Sequence, residues 1–139
     1  MGAEHWGALT PERVSGWITF DREQTDWTYH ESDKSMPARQ AEGVAGLWNK
    51  LGKYGAALLA DEVGTGKTLQ ALGVMALLWK TKPNARVLVM APNRDICRHW
   101  QQEYAKFIRT HYRESDGVVR SCDGEPVHKA EPAWSLGEL

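Results

Sequence analysis

A glycine-rich stretch near the middle of the chain has residue types and a spacing that suit phosphate binding. It ends in Gly64-Thr65-Gly66-Lys67-Thr68. The two glycines permit backbone torsions that other residues reach only with strain, so consecutive N–H groups can curve around phosphate oxygens. Lys67 would contribute a mobile cation to the β- and γ-phosphates, and the Thr68 hydroxyl would be a ligand for Mg²⁺. We therefore predict a nucleoside triphosphate site in which Lys67 and Thr68 take part in the chemistry.

The first part of the loop, Asp61-Glu62-Val63, departs from the general phosphate-loop pattern. That pattern opens with a glycine, separated by four residues from the final Gly-Lys pair, and Asp61 stands in its place. The adjacent carboxylates could be taken for a general acid–base pair. We prefer the interpretation that they shape the loop and the surroundings of Mg²⁺. The predicted nucleotide-binding set therefore runs from Asp61 through Val63 to Thr68.

An apolar run precedes the loop and an apolar helix follows it. Residues 56–60 are all alanine or leucine, which is consistent with a buried parallel strand. Residues 69–80 are apolar almost all round, which predicts a helix buried against a sheet, with its N-terminal dipole directed at the phosphates. A chance Gly-Lys-Thr is common in loops, whereas one set between a strand and a helix is not. The context favours nucleotide binding over a bare structural turn.

The neighbouring segments continue this alternation. Apolar residues recur at helical spacing over 38–51. Residues 86–91 form a second apolar run, ended by Pro92, and Asn93 can cap a helix that continues to about Phe107. The order of strand, loop, helix, strand and helix predicts the α/β class, with a parallel sheet and flanking helices.

Three segments are predicted along the chain. Residues 1–35 form an N-terminal extension with two short β-prone runs, at 17–20 and 27–30, which would pair as a hairpin. The hairpin would serve either as a partner-binding flap or as a small β layer that covers the next domain. Residues 36–112 would form the nucleotide-binding part, and the polar residues 113–139 are predicted to be a loop or a tail.

Composition bounds the class of protein. The chain has 139 residues, a formal net charge of -1, 42% hydrophobic and 25% charged residues, which is ordinary for one globular domain. The net charge does not indicate a nucleic-acid partner, although it is compatible with a local basic patch. Cys97, Cys122 and the five histidines lack metal-ligand spacing, so we expect reduced thiols and surface histidines. We expect a soluble, cytoplasmic protein without a membrane segment, nucleoid-associated if it binds DNA.

Residues 59–70, read as a whole, resemble motif I of the Swi/Snf-type ATPases, a branch of helicase superfamily two. The family has an aspartate where Asp61 stands, and Val63 and Thr65 are mild variants of its pattern. The resemblance implies the first part of a RecA-like ATPase lobe, with ATP and Mg²⁺ as ligands and DNA-dependent ATP hydrolysis as the activity.

Two further segments are similar to motifs of that family. Residues 39–43 resemble its glutamine motif, which implies that Gln40 recognises the adenine base. Residues 87–92 resemble motif Ia, and the helix after it resembles the family's tryptophan helix through Trp100, Glu103 and Phe107. The resemblance implies that this region approaches the DNA backbone.

The part of the family pattern that hydrolyses ATP is not found in the sequence. ATP hydrolysis needs a carboxylate to hold Mg²⁺ and orient water, and the family places an Asp-Glu pair downstream of motif I. Residues 118–125 are the nearest imitation, but they have few apolar residues and Gly124 separates their acids. We expect a truncated product or N-terminal fragment that is inactive alone and whose partners are duplex DNA and the missing second lobe. Part of its sheet would then be unpaired.

Basic residues on and after the last predicted helix permit two interpretations. They either contact DNA phosphates or form a solvated face interspersed with Glu103; they are Arg94, Arg98, Lys106, Arg109 and Arg113. Two other functions also stay open for the chain. One is a non-catalytic nucleotide-binding remnant or regulatory module. The other is a small phosphate-loop kinase, whose basic lid and acceptor site we do not see.

Overall fold

The fold is known from a computed structural model, which describes residues 6–82, 85–113, 133 and 137. Four helices lie within these ranges. They are α1 (Pro11–Trp17), α2 (Met36–Tyr54), α3 (Lys67–Thr81) and α4 (Arg94–Thr110).

Local signals explain where the helices begin. The Thr10 hydroxyl accepts a hydrogen bond from the N–H of Arg13 at 3.3 Å, and Pro11 opens α1. Ser35 caps α2 in the same way by accepting from the N–H of Ala38. Each cap satisfies a backbone donor that has no partner inside its own helix.

The predicted helices over 38–51 and 69–80 are confirmed, and each lies within a slightly longer helix. The predicted cap of α4 is confirmed too, since the Asn93 carboxamide oxygen accepts from Ile96 N at 3.0 Å. The helix α2 ends where Gly55 adopts a left-handed conformation with φ 72°, which glycine reaches without strain.

A single apolar core joins the four helices. Seven apolar side chains larger than alanine are at most 3% exposed in it, and each contributes about 1.5–3 kcal/mol through the apolar surface it removes from water. They come from α1 and the residue after it (Val14, Ile18), from α2 (Val44, Trp48), from α3 (Leu72, Leu77) and from α4 (Phe107).

The end of α4 is fastened to the residues that follow α1. Ile18 and Tyr112 form an isolated antiparallel bridge. Thr19 N donates to His111 O at 2.8 Å, and the Nδ1 atom of His111 lies 2.7 Å from Thr19 O. We call this contact between residues 18–19 and 111–112 the terminal clip, because it closes the helical core across a long sequence separation.

The prediction of an α/β fold with a parallel sheet, and with it of a partial RecA-like domain, was wrong. The described residues contain four helices and no strand or sheet. Residues 56–60 and 86–91 have strand composition, but a strand persists only where another backbone takes up its N–H and C=O groups. Neither run has such a neighbour among the described residues. Leu58 is accordingly 82% exposed and Met90 is 85% exposed.

The same two runs border an apolar groove of about 380 Å³. Leu59 and Val87 line it from the runs, while Leu47 of α2 and Val74 of α3 line it from the helices. The runs therefore keep a partial hydrophobic contact with the helical core, although they do not pair.

The predicted N-terminal hairpin was also wrong. The Thr10 cap draws Trp17 into α1, which removes the first of the two predicted runs. In the second run, Tyr29 N donates to the Ser15 hydroxyl at 3.1 Å, and Tyr29 OH donates to Glu42 at 2.8 Å. The second run therefore packs on α1 and α2 instead of pairing with the first.

Within the described ranges, no helix has the length and apolar character needed to cross a membrane.

Candidate nucleotide-binding site

Two glycines give the loop between residues 60 and 67 its curvature. Gly64 has φ 86° and Gly66 has φ 81°, both in the left-handed region that costs other residues roughly 1–2 kcal/mol. Gly66 is also the N-cap of α3 and provides no side-chain hydrogen bond to that helix. The first N–H groups of α3 and the positive end of its dipole therefore meet the loop without a side-chain cap, as an anion site requires.

Lys67 folds back over the loop that precedes it. Its ammonium group donates to Asp61 O at 2.8 Å and to Glu62 O at 2.7 Å. The Thr65 hydroxyl donates to Glu62 O at 2.9 Å. The loop is therefore curled, not extended.

The other predicted loop residues differ in how they face solvent. Asp61, Glu62 and Val63 are exposed, and Val63 is 98% exposed. The contacts that Asp61 and Glu62 make to Lys67 use their backbone carbonyls, not their carboxylates. Thr68 is half-buried in the first turn of α3, next to Lys67.

Gln40 lies against the loop from α2. It is 7% exposed, and its Nε2 donates to Thr65 O at 3.1 Å. A Cβ atom added at Gly66 would lie 2.2 Å from that Nε2. The structure therefore brings together the glutamine and the loop that the sequence predicted to share one site, although they are 25 residues apart.

Gln70 also lies against the loop, although no role was predicted for it from the sequence. It is 2% exposed on α3, and its Nε2 donates to the same Thr65 O at 3.3 Å. A signal was available, because Gln70 is a polar residue near the start of a helix that is apolar almost all round. Such a residue is buried only where it finds a polar partner.

The basic residues on and after α4 do not form one uniform strip. Arg98 pairs with Asp95 at 3.3 Å and Lys106 approaches Glu103 at 4.0 Å. Arg113 instead donates to the backbone carbonyls of the N-terminal segment and is half-buried. Removal from water lowers the pKa of the Arg113 guanidinium. Arg113 therefore belongs to the packing around the terminal clip, and the DNA-contact and solvated-face interpretations remain open for the residues of α4.

The aromatic residues of α4 face inward. Phe107 is 1% exposed in the core, and half-buried Trp100 lines the apolar groove. His111, expected at the surface, is 2% exposed, whereas His30 and His99 are exposed as predicted.

The described residues offer no cluster of three or more histidine, cysteine or acidic side chains that could hold a metal ion. Cys97 is a free, half-buried thiol. The weak acidic imitation at 118–125, together with Cys122, lies outside the described residues.

Comparisons with known proteins place the chain among helicase-like ATPases. A family model described as "Type III restriction enzyme, res subunit" matches residues 33–131. The RAD54-like DNA repair and recombination protein of Danio rerio is 33% identical over 86 residues, which cover 54% of this chain and 11% of that protein. The ATP-dependent helicase fft3 of Schizosaccharomyces pombe is 30% identical over 122 residues, which cover 76% of this chain and 13% of that protein.

A third relative, the chromatin-remodelling ATPase INO80 of Gibberella zeae, is 46% identical over 52 residues, which cover 37% of this chain and 3% of that protein. The chain thus spans at most 13% of the length of these three relatives. No solved structure matches the chain.

Proposed function

We propose that the loop binds ATP, because the chain belongs to a helicase-like ATPase family. The family model is described as the res subunit of type III restriction enzymes, and within helicase superfamily two the chain belongs to the Swi/Snf-type ATPases. The single observation that carries the proposal is the loop geometry. Two left-handed glycines lead into a helix N-terminus that has no side-chain cap, and the Lys67 ammonium contacts the loop carbonyls of Asp61 and Glu62.

In this proposal, the backbone amides of residues 64–68 hold the phosphates. Lys67 leaves the carbonyls of Asp61 and Glu62 and neutralises the β- and γ-phosphates. Asp61 and Glu62 shape the loop through those carbonyls, and Val63 forms its exposed rim.

Gln40 is proposed to recognise the adenine base. Its carboxamide already lies at the loop, where it contacts Thr65 O. A carboxamide has both a donor group and an acceptor oxygen, which match the hydrogen-bonding edge of adenine. Reading the base would require the Gln40 amide to share or exchange its contact with Thr65.

The residues at the loop fit Mg²⁺ bound together with ATP. Thr68 offers one hydroxyl oxygen, and Mg²⁺ in such sites takes its other ligands from phosphates, from waters and from few protein groups. When bound, the ion neutralises charge on the β- and γ-phosphates. The chain's own share of the work is to bind and orient the triphosphate.

We propose duplex DNA as the macromolecular partner of the intact motor. Two of the relatives, a DNA repair and recombination protein and a chromatin-remodelling ATPase, support this choice. Two parts would come from outside the described residues. One is the carboxylate that orients the attacking water, and the other is the second lobe. ATP hydrolysis would then depend on those parts as well as on DNA.

A titration with a fluorescent ATP analogue and Mg²⁺ tests the nucleotide site. We expect Lys67→Ala to weaken binding at least about tenfold, a loss of about 1.4 kcal/mol, because a cation facing the phosphates is removed. Lys50→Ala is the matched control, since Lys50 is an exposed lysine of α2 outside the loop, and its affinity should not change. If Lys67→Ala and the unmodified chain bound the ATP analogue with equal affinity, the proposed nucleotide site would be refuted.

Phosphate release measured with and without duplex DNA extends the same experiment. Nucleotide binding that depends on Lys67, without DNA-stimulated release, would favour a regulatory nucleotide-binding module over a motor component.

A further inference from the structure

We propose that Gln70 is a positioning residue that turns one peptide plane of the loop toward the bound phosphates. The inference rests on the proposed nucleotide site and adds a residue to it. It begins from the shared hydrogen bond of two carboxamides, because the Nε2 atoms of Gln40 and Gln70 lie 3.1 Å and 3.3 Å from the same oxygen, Thr65 O.

That shared contact decides which way the next amide points. A carbonyl oxygen has two lone pairs, and the two donors draw Thr65 O toward the buried side, between α2 and α3. In a planar trans peptide the C=O and the following N–H point in opposite directions. Holding Thr65 O inward therefore directs the N–H of Gly66 outward, to the side where the phosphates would lie.

A notch in α2 accommodates the Gln70 side chain. A Cβ atom added at Gly43 would lie 2.0 Å from Gln70 Oε1 and 3.0 Å from its Cδ. Gly43 lies inside α2, where glycine is less favourable than alanine for helix stability. The close approach of Gln70 supplies a reason for glycine at this position.

The same side chain is poorly matched to a purely structural role. Gln70 Oε1 is buried and has no hydrogen-bond partner among the described residues. A buried acceptor without a partner destabilises the folded state, and an apolar side chain of similar shape would avoid that cost. A residue kept against stability is expected where it serves a site.

These observations predict opposite effects on stability and on binding. Gln70→Met keeps an unbranched side chain but removes both the donor to Thr65 and the orphaned oxygen. We expect nucleotide affinity to fall about fivefold, as for one neutral hydrogen bond, while the melting temperature stays the same or rises. The control is Gln102→Met, the same change at an exposed position of α4, which should alter neither quantity.

A second pair of variants tests the notch without touching Gln70. Gly43→Ala should displace the Gln70 carboxamide and weaken nucleotide affinity, although alanine favours the helix. Gly46→Ala is its matched control. Gly46 lies on the same helix, and a Cβ atom there would meet nothing within 4 Å. Reduced affinity for Gly43→Ala alone supports the inference.

The outcomes separate the two proposals. If Lys67→Ala weakens binding but Gln70→Met and Gly43→Ala bind like the unmodified chain, the positioning role of Gln70 is overturned and the nucleotide site stands. If Gln70→Met lowers the melting temperature together with affinity, Gln70 is structural and the inference is likewise overturned. If Lys67→Ala binds normally, the failure lies with the nucleotide site itself.

Discussion

At the scale of single residues, the loop is held by its carbonyl oxygens. Lys67 contacts the carbonyls of Asp61 and Glu62, and the two carboxamides contact that of Thr65. Donors from side chains thus take up the negative ends of the loop's peptide groups. Only for the peptide between Thr65 and Gly66 do buried donors fix the direction, and in a planar trans peptide the N–H of Gly66 then points away from Gln40 and Gln70.

The first residue-scale prediction concerns Gly64. A Cβ at Gly64 meets nothing within 4 Å, so Gly64→Ala acts through its torsion alone, at about 1–2 kcal/mol. The loop is exposed and can relax to a less curved form. We therefore expect nucleotide affinity to fall about tenfold in the same titration, a loss of about 1.4 kcal/mol.

Gly55→Ala is the control for that prediction. Gly55 also has a positive φ, 72°, and an unobstructed Cβ position, but it ends α2 away from the loop. It should lower the melting temperature without changing nucleotide affinity. Equal losses of affinity in both variants would mean that torsional strain anywhere in the chain weakens binding.

At the scale of elements, helices were predictable and strands were not. The sequences of α2 and α4 contain local helix signals, namely the Ser35 and Asn93 caps and apolar residues at helical spacing. A strand has no comparable local signal, because its hydrogen bonds go to another segment. Residues 56–60 and 86–91 have the right composition but no strand partner within 6–82 and 85–113, so composition alone predicted a sheet that these ranges do not contain.

The terminal clip predicts how stability depends on pH. Burial lowers the pKa of His111 below its ordinary 6.5, and nearby Arg22 and Lys106 add to this, while the hydrogen bond with Thr19 O and the charge of Glu103 act in the opposite direction. Between pH 6.5 and the lower folded-state pKa, the unfolded chain therefore binds more protons at His111 than the folded chain does. Stability must fall as the pH decreases from 6.5 toward the lower, folded-state pKa.

Melting temperatures measured between pH 7.5 and 5.5 in steps of about 0.5 would test this sign. The unmodified chain should lose stability on acidification, and His111→Gln should show a flatter profile. His99→Gln removes an exposed histidine from the same helix and should leave the slope unchanged. The window excludes Asp33, whose pKa is lowered from 3.8 by its hydrogen bonds to Ser35. A profile for His111→Gln as steep as that of the unmodified chain would contradict the assignment.

At the scale of the whole molecule, the curled loop that ends at Lys67 could be predicted more fully than the packing around it. The glycines and Lys67 were predicted from residue types and spacing, since these encode local torsions and charges, whereas Gln40 was predicted only through the family resemblance. The Gln70 contact, the Gly43 notch and the burial of His111 depend on which helices meet. Such long-range packing has no signature within a short stretch of sequence, and one polar residue in an apolar helix was the only hint.

The helical core and the two unpaired runs should respond very differently to the same substitution. Leu58 and Met90 are mostly exposed, so replacing either with serine removes almost no buried surface. We expect an unchanged melting temperature and less aggregation, because exposed apolar patches promote association. Light scattering during a concentration series, with a thermal melt on each sample, would measure both effects.

Leu72→Ser supplies the contrast within the same chain. Leu72 is 3% exposed between the helices, and losing a buried leucine costs about 2–5 kcal/mol, a large part of the roughly 5–15 kcal/mol that stabilises a typical domain. This variant should melt far lower and aggregate more. A comparable fall in melting temperature for Leu58→Ser and Met90→Ser would show that the two runs are buried in solution, and that the chain reaches a packing other than the helical one described.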